Sequence, residues 1–229
     1  MTANPCRIVI PVRLSYCHIA EPRPDDERTD DAGNPLYSYN TQCIISKTDK
    51  ATQKKIQTAV QHAIAKKFGK DKVAAYMKNP NFKKPLRDAD AEDKDAPEYK
   101  NTTFFNCKTN AKFNNAKDVD EADPNAQPYT GRPGCVLKNR TRLTSVADIS
   151  KEIYSGAYVF ISVTAYYFKA TGSQGIAFGL NNVMKDRDGE RLDGTVDADD
   201  EFADLFEEDD LTVNTDNLDK EFLGDDWEL

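Results

Sequence analysis

Apolar and polar positions alternate along much of this chain. In residues 7–14, Ile8, Ile10, Val12 and Leu14 share one side, while Arg7, Val9, Pro11 and Arg13 share the other. That period of two predicts a half-buried strand, and Pro11, which has no N–H for a ladder, puts it at a sheet edge or bulge. Residues 21–35 are polar and contain proline, and predict a loop. Residues 36–46 predict a second strand with Tyr37, Tyr39, Thr41, Cys43 and Ile45 on one side. Residues 103–113 alternate Phe105, Cys107, Ala111 and Phe113 against Asn106, Lys108, Asn110 and Lys112. Residues 134–143 split Cys135, Leu137, Asn139, Thr141 and Leu143 from Val136, Lys138, Arg140 and Arg142, and predict one strand. Two more strands follow at 157–169 and 175–184, joined by a turn around Gly172.

The period changes once. After Thr48 or Asp49, either suited to cap a helix, Ile56, Ala59, Val60, Ala63, Ile64 and Phe68 recur at helical spacing until Gly69. A short helix is expected over 72–78, and loops over 79–98 and 114–133. Short strands, irregular loops and one inserted helix predict a mainly β chain. A small barrel fits this order better than an α/β layer fold.

Charge changes the picture. Residues 197–229 hold fifteen acids and one base, Lys220, whereas residues 1–196 hold 30 bases and 24 acids, a net of +6. The overall −8 averages two opposite segments. The expected organisation is a basic domain, 1–196, and a disordered acidic tail, 197–229, too poor in apolar residues to offset its ordering entropy. A basic body can bind a polyanion, and a polyanionic tail can imitate one.

Basic residues fall on the polar sides of three segments: Arg7 and Arg13, Lys108 and Lys112, and Lys138, Arg140 and Arg142. One such face is ordinary solvation, but three in a basic body point to phosphates. Tyr158, Phe160, Tyr166 and Phe168 share the side of residues 157–169 opposite Val159, Ile161 and Val163. Tyr167 and Lys169 close that strand on the aliphatic register. Exposed rings stack bases irrespective of sequence, so Tyr166, Tyr167 and Phe168 are the main stacking candidates, with Tyr39 and Tyr158 as additions. In the tail, Phe222, Trp227 and Leu229, beside Asp225 and Asp226, suit docking to a basic, apolar pocket of a partner.

Other chemistries have less support. Five cysteines, an odd number without a Cys-x-x-Cys pair, argue against a disulfide framework and for a reducing compartment. There is no secretory h-region and no apolar run near the roughly 20 residues of a membrane span, so a soluble intracellular protein is expected. His18 and His62 lack metal-ligand spacing, and no cofactor or metal is implied. The alternative from another class is a metal-dependent nuclease using the acidic cluster from Asp88 to Asp95, which needs a scaffold to fix Mg²⁺ geometry. A third reading, a DNA mimic acting through its tail, conflicts with the basic strand faces.

The chain resembles a known family on particular residues. These are Ile153-Tyr154-Ser155-Gly156-Ala157-Tyr158-Val159, residues 175–183 (GIAFGLNNV), and Asp188-Gly189-Glu190-Arg191-Leu192. Gly33-Asn34-Pro35, Lys84-Pro85-Leu86-Arg87-Asp88 and the acidic aromatic tail add to them. The segments look like the bacteriophage single-stranded-DNA-binding proteins of replication and recombination. The resemblance implies a five-stranded OB-fold-like barrel with an inserted helix. It also implies sequence-nonspecific binding of single-stranded DNA in the host cytoplasm, and recruitment of polymerase or helicase–primase through the tail. It assigns DNA contacts to Tyr167, Phe168, Lys169 and Arg87. Tails of that family usually end in Phe, whereas this one ends Trp227-Glu228-Leu229, leaving Trp227 and Leu229 as alternative docking residues.

Overall fold

The computed structural model of the protein describes residues 4–29, 33, 35–113 and 129–194, except for the side chains of 26–28, 112, 113 and 129. By its internal contacts the chain divides into Met1–Asp193 and Gly194–Leu229. The acidic segment, with Phe222, Asp225, Asp226, Trp227 and Leu229, lies outside the described residues.

Five strands close a barrel: β1 (Arg7–Thr29), β2 (Pro35–Ser46), β3 (Thr102–Asn110), β4 (Tyr158–Ala170) and β5 (Ser173–Arg187). β2 and β4 flank β1, β3 flanks β2 and β5 flanks β4, all antiparallel. A parallel pairing of Phe178 and Gly179 with Cys107 and Lys108 seals β5 to β3. This is OB-fold connectivity, as expected. Inward side chains fill the barrel, among them Ile10, Leu14, Cys43, Phe105, Ile161, Val163 and Phe178, all buried. A closed barrel leaves no unpaired edge at its seam.

The inserted helix α1 (Lys50–Phe68) follows from its pattern. Asp49 is the cap, its side chain accepting from Thr52 N at 2.9 Å, and Ile56, Ala59, Val60, Ala63 and Ile64 are buried. Gly69, at φ 97°, ends it with N–H bonded to Ala65 O at 2.9 Å. A short α2 (Val73–Lys78) follows. A third helix, α3 (Val146–Glu152), was not foreseen. Its signal was Ser145, whose Oγ accepts from Asp148 N at 3.0 Å.

Two expectations are corrected. Residues 134–143 are a tight hairpin, Gly134–Val136 against Arg142–Leu143, and not one strand. Leu137 N bonds Thr141 O at 2.9 Å, Asn139 Oδ1 accepts from Thr141 N at 2.9 Å, and Arg140 takes a left-handed φ of 72°. Alternation of period two continues through such a turn, so it could not reveal the reversal. The loop expected over 21–35 is largely strand, because β1 extends to Thr29 and pairs with β2 from Pro35 onward. This extension has polar residues on both sides, and lacks the alternation that marks a half-buried strand. All five cysteines are free, and Cys43 Sγ and Cys107 Sγ lie 3.8 Å apart in the core. No helix among the described residues is long and apolar enough to cross a membrane.

Candidate nucleic-acid interface

The strand order decides which outer side chains share a surface. A cleft of about 550 Å³ runs over the outer face of β2 and β3. Its floor carries Asn40 and Gln42 from β2 and Asn106 and Lys108 from β3. β1 and its hairpin supply Tyr16, His18, Arg23 and Asp25 on one side, and Tyr166 of β4 and Ala177 of β5 lie on the other.

Among the described residues, Tyr16 and Tyr166 are the two large rings left open, 61% and 41% exposed. Tyr16 owes its exposure to a bulge. The β1–β2 register shifts between Ser15 and His18, and Tyr16 takes a φ of 47°. A bulge re-aims side chains in this way. Tyr16 is not among the sequence candidates, although parity holds its signal: the inward residues are even up to Leu14 and odd at Ile19. Tyr166 lies beside Gly179, where an added Cβ would stand 3.7 Å from Tyr166 Cε1, an ordinary van der Waals contact.

Among the described residues, Lys108 and Arg23 are the cations that line the cleft. Lys108 Nζ lies 3.4 Å from Asp25 Oδ2, and Arg23 stands beside His18. Burial, and then the Arg23 charge, push the His18 pKa below its ordinary value. At one side Lys94, from the segment between α2 and β3, sits over the rings of Tyr99 (4.3 Å), Phe104 (4.7 Å) and Tyr16 (5.6 Å). Arg87 stacks on Phe104 at 4.3 Å and pairs with Glu92 at 3.2 Å.

The other expected site residues are distributed differently. Tyr39 is fully buried, its ring on the inward register of β2, so it offers no face to a base. Desolvation raises its hydroxyl pKa. Tyr167 also packs inward, edge-on to Phe68 at 5.1 Å, with its hydroxyl bonded to Gln174 Oε1 at 3.0 Å. Phe168 shares Tyr166's side of β4, half-buried, and Lys169 is exposed at the strand end. Tyr158 lies eight residues from Tyr166 along β4, roughly 27 Å at strand rise. The guanidinium groups of Arg13 and Arg187 lie over its ring, 5.6 and 3.9 Å from the centroid. Arg13 bonds Gly156 O and Glu190 O at 3.2 and 3.0 Å, and Lys138 pairs with Asp186 at 2.6 Å. Arg140 and Arg142 are exposed on the 134–143 hairpin, beside the far part of β5. The three basic segments therefore do not form one trough. Lys108 enters the cleft, and Arg13, Lys138, Arg140 and Arg142 lie elsewhere. Lys112 begins a short strand just past β3.

The acidic cluster weighed for nuclease chemistry has a different partner. Asp88 and Asp90 both clamp Lys47 Nζ, at 2.6 and 2.5 Å. These bonds hold both carboxyl pKa values below 3.8, and they tie the 87–94 segment to the end of β2. Among the described residues no group of three or more metal-ligating side chains occurs. Each folded pKa lies below its unfolded value, so the tie is intact above 3.8 and weakens as pH falls through the depressed values. Lys47→Met is therefore expected to speed exchange of the Ala89 amide, which bonds Thr102 O at 3.1 Å. The effect should be full at pH 6 and disappear in acid, where the parent protein also loses the tie. Equal exchange in both proteins at pH 6 would refute the clamp.

Comparisons with known proteins agree with this architecture. The family described as "Enterobacter phage Enc34, ssDNA-binding protein" matches residues 7–212. Among solved structures, the single-stranded DNA-binding protein of bacteriophage Enc34 in complex with ssDNA aligns at a TM-score of 0.61 and 19% identity, over 82% of this chain and 89% of that one. The same Enc34 protein in another structure aligns at 0.56 and 20% identity, over 88% and 90%. The gp2.5 single-stranded DNA-binding protein of bacteriophage T7 aligns at 0.50 and 18% identity, over 83% and 97%. At this identity the likenesses establish the fold. A comparison with curated protein sequences gave no match. The family match spans most of the sequence, so the chain belongs to the Enc34 family of phage single-stranded-DNA-binding proteins.

Proposed function

We propose that the protein coats single-stranded DNA of any sequence during phage replication and recombination, holding the strand in the cleft over β2 and β3. The observation that carries this reading is the pair of exposed tyrosines, Tyr16 and Tyr166, on either side of a floor that bears Lys108. Bases stack on the two rings and on Phe168, while Lys108, Arg23, Lys169 and Lys112 meet phosphates. A phosphate arriving at Lys108 displaces Asp25. In the OB fold this face, between the first and last hairpins, is the usual oligonucleotide surface.

The acidic tail acts as a tethered polyanion. At about millimolar effective concentration it competes with DNA for the basic surface. Bound DNA releases it, and Phe222, Trp227 and Leu229, with Asp225 and Asp226, become available to a polymerase or helicase–primase. The family match, which extends to residue 212, supports a tail that is part of the family pattern.

Titration of the full chain with labelled oligo-dT tests the reading. Four or so phosphate contacts give log K a slope near −3 against log salt, from about −0.7 per contact on single strands. A matched duplex, whose bases cannot stack on the rings, should bind more weakly. Deleting residues 197–229 should tighten binding at low salt and have little effect at high salt. Equal affinity for duplex, or a salt-independent constant, would reject the proposal.

A further inference from the structure

The helical insert concentrates the positive charge of the chain. Residues 50–87 hold eleven bases and one acid, Asp71, a net of +10, and leave 19 bases and 23 acids to the rest of residues 1–196. The cleft over β2 and β3, by contrast, sets Lys108 and Arg23 beside Asp25. Lys50, Lys54, Lys66, Lys70, Lys78 and Lys83 are exposed and, among the described residues, meet no acid. Their mutual repulsion is relieved by a polyanion, and this insert attracts one more strongly than the cleft does.

Among these lysines lies a groove of about 230 Å³ between α1 and the segment that follows α2. Ile56 and Val60 of α1, Met77 of α2, and Pro85 and Leu86 line it, with Gln57 and Lys84 beside them. Ile56 and Val60 are buried, while Met77, Pro85 and Leu86 are half-buried. The lining residues carry no aromatic ring on which a base could stack. An aliphatic groove in a cationic surface fits an acidic segment with a large apolar side chain. The chain itself contains such a segment. Residues 197–229 hold fifteen acids, and Trp227, the one tryptophan in the sequence, stands next to Asp225, Asp226 and Glu228. Trp227 is 33 residues beyond Gly194. That is a contour of roughly 110 Å at about 3.3 Å per residue, against a radius of gyration of about 16 Å for a domain of this size.

We propose that residues 222–229 dock on the helical insert, with the Trp227 indole in the groove and the neighbouring acids against Lys54, Lys78 and Lys84. The inference builds on the acidic segment being a tethered polyanion, and it names the surface that the segment takes. Charge alone would hold the segment anywhere on the insert, whereas a groove that takes one ring sets its register. The ionic part weakens as salt rises, and burial of the indole does not. The insert also meets the cleft at the tip of β4. Lys83 pairs with Gly175, Gly175 pairs with Phe168, and Lys67 Nζ lies 5.1 Å from the Tyr167 ring centroid. A strand that leaves the cleft past Phe168 reaches the same lysines, so DNA and the acidic segment exclude each other there.

Trp227 reports its own surroundings in the full chain. Its emission and its quenching by acrylamide are measured for the parent, for Lys54→Glu/Gln57→Glu and for Arg142→Glu, with a synthetic peptide of residues 216–229 as the exposed reference. Lys54 and Gln57 are exposed on α1, and glutamate is a good helix former, so the double variant keeps the fold while making the groove rim acidic. Arg142→Glu changes charge on the 134–143 hairpin and serves as the control. The parent should emit to the blue of the peptide and resist quenching, independently of protein concentration. Both differences should be lost in Lys54→Glu/Gln57→Glu, kept in Arg142→Glu, and reversed in the parent by saturating oligo-dT. A parent that emits and quenches like the peptide, or a double variant that shields Trp227 as well as the parent does, would overturn the docking site. Oligo-dT bound tightly alongside either result would leave single-strand binding intact, and a shielded Trp227 in a chain that binds no oligo-dT would do the converse.

Discussion

Replacing Tyr16 and Tyr166 together by alanine is expected to weaken oligo-dT binding at least about 30-fold, while Tyr158→Leu changes it less than about twofold. A base stacked on a ring contributes about 1–3 kcal/mol, and two such losses at separated sites add to about 2 kcal/mol or more. Each single variant should lose roughly fivefold or more. Location makes the difference. Tyr16 and Tyr166 are exposed and line one cleft. Tyr158 is not among the residues that line that cleft; it lies about 27 Å from Tyr166 along β4, with the Arg13 and Arg187 guanidinium groups over its ring. Anisotropy titrations at fixed salt, with melting curves to verify folding, separate the two surfaces. A larger loss from Tyr158→Leu than from the double variant would move the DNA to the β1–β4 face.

The barrel was legible because each strand buries one side. Ile10, Leu14, Ile161 and Val163 lie inward as their parity requires, and α1 buries the stripe that its 3.6-residue period marks. Parity also placed Tyr39 inward, beside Cys43 and Ile45, and that reading outweighs its aromatic character as a guide to function. The site was less legible, because a surface depends on which strands adjoin. Lys138, Arg140 and Arg142 look like Lys108 in sequence, yet the 134–143 hairpin pairs with β5 at residues 182–184, whereas the cleft takes β5 only near Ala177 and Phe178. Tyr167 and Tyr166 are neighbours in sequence on opposite sides of the wall. Tyr16 was hidden by a bulge.

Gly156→Ala should lower stability by about 3 kcal/mol or more, because the segment on which the family resemblance was strongest is a clasp with no room for a methyl group. At φ 112° a Cβ on Gly156 would stand 1.9 Å from Glu190 O and 2.9 Å from Glu190 C. Backbone there cannot swing aside, since Tyr154 Oη bonds Asp188 Oδ1 at 2.9 Å and Gly189 O at 3.1 Å, and Leu192 N bonds Ser155 O at 2.9 Å. Gly172→Ala is the control: its φ is 71°, but nothing lies within 4 Å of an added Cβ, so only conformational strain remains. For a domain of this size Gly156→Ala should melt about 6–12 °C lower than the parent, with a much smaller shift for Gly172→Ala. Equal shifts would mean that the clasp is not tight. The clasp also reaches the cleft proposed to hold DNA. Gly156 N bonds Leu14 O at 2.8 Å, Leu14 N bonds Ala157 O at 2.9 Å, and Cys17 N bonds Ser155 Oγ at 3.0 Å, so the same segment grips β1 on both sides of the bulge that presents Tyr16. Oligo-dT affinity measured well below the melting temperature should therefore fall in Gly156→Ala by about as much as in Tyr16→Ala, while Gly172→Ala keeps the affinity of the parent.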